Sequence, residues 1–241
     1  MKFIKYFIFS IGLNIGLTNA FFSPSVKTSS GKKLSIVGQG PPFLFSTGLF
    51  GTMPAFLYSN FINELKKNVT IVSIDGFNPI NDNTIDEVCD ALNVDKIGYL
   101  GHSSFLPEVL DNSKIEKAVL MDPINLPWLS FDGLSNSIIK VKYPLYILRA
   151  EKLYKGSKTL PEWQNPDFKG DFEEETFEDV GHPDILNDFW ANIAKNIGLW
   201  EMAEGEKMKF EDWKFNIKTE IPKIRKTYRK NIAYKISEFI F

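Results

Sequence analysis

Ser103 stands in Tyr99-Leu100-Gly101-His102-Ser103-Ser104-Phe105, where an apolar run stops at a glycine and turns on a serine. A strand that runs into Gly-His-Ser and then a helix can lift the hydroxyl above the strand ends on a sharp turn. Such a turn needs a small residue two before the serine, because the backbone closes tightly there. The amide of Ser104 would then face an oxyanion forming on a substrate carbonyl. A serine hydroxyl is a poor nucleophile until a base takes its proton. The chain has two histidines for that task. His102, beside the serine in the turn, is expected to point away from it. That leaves His182, in Val180-Gly181-His182-Pro183-Asp184-Ile185-Leu186, on a loop after the last expected strand.

A carboxylate must orient the imidazole and stabilise its charged form. Asp122 follows an apolar strand in Val119-Leu120-Met121-Asp122-Pro123, and Glu151 follows the next one in Leu148-Arg149-Ala150-Glu151. Asp122 is preferred, because an Asp-Pro turn would hold it rigidly, and Glu151 is the alternative. Asp179, three residues from His182, is expected to stabilise the loop instead. One cysteine and two histidines cannot build a structural zinc site, and no metal or cofactor is expected. Cys89 reads as a small buried filler. Thr47-Gly48-Leu49-Phe50-Gly51-Thr52 is glycine-rich but lacks the Gly-Lys-Ser/Thr ending of a phosphate loop.

Strands expected to carry these groups are Lys33–Val37, Pro42–Ser46, Val69–Ile74, Lys96–Leu100, Ala118–Met121, Tyr143–Arg149 and Phe172–Phe177. Helices are expected from Pro54, over Thr84–Asn93, from Ser104 to about Leu110, and over Ile185–Ile197. The alternation predicts an α/β, doubly wound, mostly parallel sheet with a C-terminal helical extension. The stretch Pro123–Val141, with Trp128, Leu129 and Phe131, is an insertion placed to form a lid, a pocket wall or an ordinary packed loop.

With these residues together, the chain resembles the α/β-hydrolase superfamily over about residues 33–200. Within it the chain looks like the chlorophyllase and lipase-like group of serine esterases. That group carries Gly-His-Ser at the nucleophile, Asp-Pro after the next strand, and Gly-His-x-Asp-hydrophobic-Leu at the base. The matching residues are Gly101-His102-Ser103, Asp122-Pro123 and Gly181-His182-Pro183-Asp184-Ile185-Leu186. The resemblance implies ester hydrolysis through an acyl-enzyme by Ser103, His182 and Asp122 or Glu151. It also implies an oxyanion hole built from the amides of Leu49 and Ser104. The chain departs from the pattern in having Phe105 where a glycine is usual, and Thr47 where a histidine is usual.

Residues 1–20 read as a signal peptide: Lys2 and Lys5 precede an apolar run, and Thr18-Asn19-Ala20 offers a cleavage site. Phe21-Phe22 and the Ser/Lys stretch Ser23–Lys33 resemble the bipartite presequences of algae with complex plastids, which would carry the leader to about residue 32. Plastid delivery and secretion both fit the secretory pathway this implies. Residues 201–241 form a separate tail, basic and amphipathic. Its apolar residues can pack on the domain or meet an anionic membrane surface. A net charge of -2 gives no reason to expect nucleic acid as a partner. Apolar residues make up 44% of the chain, enough for a real core, and 21 are phenylalanine. With the aromatic supply of Phe50, Phe56, Phe105, Trp128 and Phe131, they suit a small lipophilic ester substrate. The competing expectation is an inactive binding or scaffold protein that keeps the turn without turnover.

Overall fold

The structure, a computed structural model, describes residues 23–76, 78–104, 106–123, 141–152, 172–196 and 220–241. The leader over residues 1–20, the insertion with Trp128, Leu129 and Phe131, Phe105, and the first part of the tail lie outside the described residues.

Among the described residues the eight strands are β1 (Ser23–Lys27), β2 (Lys33–Val37), β3 (Pro42–Ser46), β4 (Thr70–Ile74), β5 (Ile97–His102), β6 (Ile115–Met121), β7 (Leu145–Lys152) and β8 (Phe172–Gly181). They form one sheet in the order β1-β2-β4-β3-β5-β6-β7-β8. β2 is antiparallel to both of its neighbours, and every pair from β4 through β8 is parallel. Side chains alternate between two cores. Phe43, Phe45, Leu100, Val119 and Met121 enter one, and Leu44, Tyr99, Ala118 and Leu120 the other. Burial on both faces explains why the central strands read as almost unbroken apolar runs.

Among the described residues four α-helices complete the layers: α1 (Ser59–Leu65), α2 (Asp82–Leu92), α3 (Asp188–Asn196) and α4 (Glu220–Ile240). α1, α3 and α4 cover the first core, and α2 packs Ile85, Val88 and Cys89 into the second. Asn81 starts α2 by accepting a hydrogen bond from the Thr84 amide at 3.0 Å, and Asn93 ends it with φ 54°. Cys89 is a buried filler, as its position suggested, and burial pushes its thiol pKa up.

Two features differ from expectation. Composition grouped Ser23–Lys32 with the leader, but this stretch belongs to the folded domain. β1 pairs with β2, and Lys32 Nζ donates to Glu87 Oε2 of α2 at 2.9 Å. The helix expected after Ser104 is a single 3₁₀ turn, Pro107–Asp111. The tail helix α4 lies against the domain, with Tyr228, Ile232 and Ile236 buried in the first core. Ile224, Tyr234 and Phe241 of the same helix stay exposed. No helix among the described residues is long and apolar enough to cross a membrane.

Candidate active site

The chain passes from β4 to β5 across β3, so the strand order reverses at β3 and opens a crevice at the carboxyl ends of the strands. Ser103, Asp122 and His182 follow β5, β6 and β8 directly, all at that edge. Four of the six non-glycine residues with positive φ among the described residues also lie there: Leu49 (55°), Phe50 (63°), Ser103 (66°) and Asp122 (43°). Such backbone persists only where the surroundings over-determine it, and it gathers at functional sites.

β5 is buried along its whole length, and it delivers Ser103 with little freedom. The Ser103 amide donates to Met121 O of β6 at 3.1 Å, which locks the turn to the neighbouring strand. The side chain of Ser103 hydrogen-bonds to no group among the described residues. Directly after β3, the Phe50 amide donates to Ser104 O at 2.8 Å, fastening the glycine-rich loop to the turn. Gly48 sits where they meet. A Cβ there would lie 2.8 Å from Met53 Sδ, 3.2 Å from Tyr58 Oη and 3.6 Å from Ser103 Cβ, so a side chain would wedge the loop off the serine. The amides of Leu49 and Ser104 donate to no acceptor among the described residues, while those of Phe50, Gly51, Thr52 and Met53 are all engaged.

His182 opens a 3₁₀ turn, His182–Ile185, with Pro183 in its first turn. His182 Nδ1 donates to Asp122 Oδ2, and both residues are buried. A carboxylate can only accept, so the proton lies on Nδ1, and in the neutral ring Nε2 is the nitrogen able to accept one. The Asp122 carboxylate is held in turn by the Ala150 amide, which donates to Oδ1 at 3.3 Å. Asp122 lies beneath the imidazole, and Glu151, the alternative acid, does not. Glu151 is exposed, and its Oε2 accepts from the Asp179 amide at 2.7 Å.

Two sets of residues at this site carried no sequence signal. One is the pair Tyr58 and His102. The His102 ring stacks on that of His182, with centroids 4.5 Å apart and planes 26° apart. It points under His182 rather than away from the site. Burial, reinforced by the neighbouring His182, pushes its pKa well below the ordinary histidine value, so the ring is neutral. The other set comes from α4. Arg225 Nε donates to Asp184 Oδ1 at 2.7 Å, and Asp184 Oδ2 accepts from the Gly181 amide at 2.7 Å. Arg229 bonds Leu186 O and Asp188. Nothing near these arginines in sequence reveals that they reach residues about forty positions earlier.

No protein-family model matches the chain, and no curated protein matches it. Solved structures match it in shape. A serine hydrolase from the polyaromatic-hydrocarbon-degrading bacterium Cycloclasticus zankles is similar over 73% of this chain and 96% of its own, with a TM-score of 0.50 and 13% identity. A mutant of the meta-cleavage product hydrolase CumD is similar over 72% of this chain and 96% of its own, with a TM-score of 0.50 and 13% identity. At such identity the likeness speaks for the fold alone. The strand order, the parallel core and these neighbours define the chain as an α/β-hydrolase fold with a C-terminal helix packed on it.

Proposed function

We propose that this chain is a serine hydrolase that cleaves carboxylic esters through an acyl-enzyme. Ser103 is the nucleophile, His182 the base and Asp122 the acid in this reading. The contact from His182 Nδ1 to Asp122 carries it, because it selects the Nδ1–H form of the imidazole, the form whose Nε2 can take a proton, at the strand edge that bears Ser103.

The substrate carbonyl meets Ser103 Oγ while His182 Nε2 takes the hydroxyl proton. Hydrogen bonds of this kind are often long in the free enzyme and tighten when substrate arrives. The imidazolium is stabilised by the buried carboxylate of Asp122, and the amides of Leu49 and Ser104 supply the oxyanion hole. As the tetrahedral intermediate collapses, His182 returns the proton to the leaving alkoxide and the acyl group stays on Ser103. Water, deprotonated by His182, then attacks the acyl-enzyme and releases the acid. Neither half-reaction calls on a metal or cofactor.

A lipophilic substrate, of the kind handled by the chlorophyllase and lipase-like group, fits the apolar side chains around the glycine-rich loop. Leu49 is 44% exposed, and Phe50 and Phe56 are partly open. A fluorophosphonate probe should form one adduct, on Ser103. The Ser103→Ala variant should lose the adduct and at least ~10³-fold in kcat on p-nitrophenyl esters while keeping its circular dichroism spectrum. Folded wild-type protein that takes no label would instead support the binding or scaffold protein. On a series from acetate to palmitate, kcat/KM that falls with chain length would remove the lipophilic preference.

A further inference from the structure

Beneath the base lies a chain of three hydrogen bonds in which every proton can be assigned. The Gly48 amide donates to Tyr58 Oη at 2.9 Å. Tyr58 Oη lies 2.8 Å from His102 Nδ1, and His102 Nε2 lies 3.3 Å from the carbonyl oxygen of His182. The carbonyl can only accept, so Nε2 of His102 carries the proton. In a neutral ring Nδ1 is then bare and accepts the Tyr58 hydroxyl proton. Tyr58 Oη keeps a lone pair for Gly48, and burial holds its pKa above the ordinary tyrosine value. The chain therefore runs one way, from the glycine-rich loop to the backbone of the base. Tyr58 also meets the His102 ring edge-on, with centroids 5.4 Å apart, so the ring is held on two sides.

We propose that Tyr58 and His102 are positioning residues of the hydrolytic site, tying the oxyanion loop to the base and holding a neutral ring as the platform under His182. This rests on the hydrolase reading above. The platform matters because the His182 imidazole becomes positive during each transfer. A neutral ring stacked beneath it accepts that charge, whereas a protonated one would repel it. The tie matters because the loop that supplies the Leu49 amide and the residue that moves the proton must keep their spacing in both half-reactions.

The chain holds two histidines, so ring-nitrogen NMR of the full-length protein labelled with ¹⁵N-histidine reads both sites without overlap. The His102→Gln variant assigns them. The expected spectrum shows one ring fixed in the Nε2–H form and neutral from pH 8 to pH 6. Tyr58→Phe should abolish that fixed pattern and lower kcat on p-nitrophenyl acetate by about tenfold with KM within about twofold. His102→Gln keeps an N–H near the Nε2 position, and it should retain more kcat than His102→Leu. A His102 ring in the Nδ1–H or charged form would overturn the proposal. So would Tyr58→Phe and His102→Leu proteins that are folded and keep wild-type kcat. Wild-type protein that neither takes a fluorophosphonate nor cleaves the ester would refute the hydrolase reading first, and the catalytic part of this one with it. The ring spectrum would still decide whether the hydrogen-bond chain exists.

Discussion

The turn that carries Ser103 and the loop that carries His182 sit at the same edge of one sheet, yet opposite means hold them. Ser103 is placed by its own backbone: a fully buried strand, a glycine two residues before it, φ of 66° and one hydrogen bond donated by its amide to β6. His182 is placed by side chains that arrive from elsewhere. Asp122 meets its ring, His102 supports it from below, and Asp184 and Arg225 fasten the loop behind it. A group held by local backbone needs only a short motif, so it can be read directly. One held by distant side chains leaves a loop that looks unremarkable alone. For the proposed hydrolase the comparison implies different failures: damage around Ser103 would stop chemistry, whereas damage around His182 would loosen the fold as well.

The largest effect expected from the side-chain arm is at Asp122. Asp122→Asn should lower kcat on a p-nitrophenyl ester by about 10⁴-fold, because an amide no longer selects the Nδ1–H form of the ring. Glu151→Gln, at the end of the next strand, should stay within about twofold of wild type, as exposed substitutions usually do. The reverse ranking would move the acid to β7. Next comes Arg225→Met, which leaves the Asp184 carboxylate buried without its guanidinium. Breaking a buried pair in this way costs about 3–5 kcal/mol. Urea unfolding at pH 7 reads it, and a loss below about 1 kcal/mol would show that α4 does not hold the base loop.

The smallest effect is a slope. His102 is buried and neutral, with its folded pKa below the unfolded value of about 6.5. Below that pH the unfolded chain binds a proton that the folded chain refuses. Stability therefore falls on acidification, by about 1.4 kcal/mol per pH unit from this group, until the folded pKa is reached. His102→Gln should remove that part of the slope between pH 6.5 and pH 5. An unchanged slope would mean that the ring is not kept neutral by the fold.

Much of the sheet was legible because buried strands announce themselves. The expected strands from Lys33 to Arg149 agree with β2–β7 to within a few residues at their ends. The edges were harder. β1 has the Ser/Lys composition of a leader, since an edge strand has one partner and few apolar demands. β8 extends to Gly181, beyond the expected end at Phe177, because its Glu-rich residues face solvent at the other edge. His102 was expected to turn away from the site. Its direction is settled by Tyr58 and His182, which lie 44 and 80 residues from it in the chain. That Tyr228, Ile232 and Ile236 of the tail pack on the domain was not legible, because an apolar stripe does not name what covers it.

The sequence by itself determined the alternating layers, the strained serine turn, and the short set of groups able to act as base and acid. Each of these follows from a period, a glycine or the scarcity of histidine within a few residues. Only the tertiary structure decided that Asp122 rather than Glu151 meets the imidazole, that His102 lies under it, and that α4 fastens the His182 loop. Those contacts join residues tens of positions apart, and their geometry exists only once the sheet has set the spacing and twist of its strands.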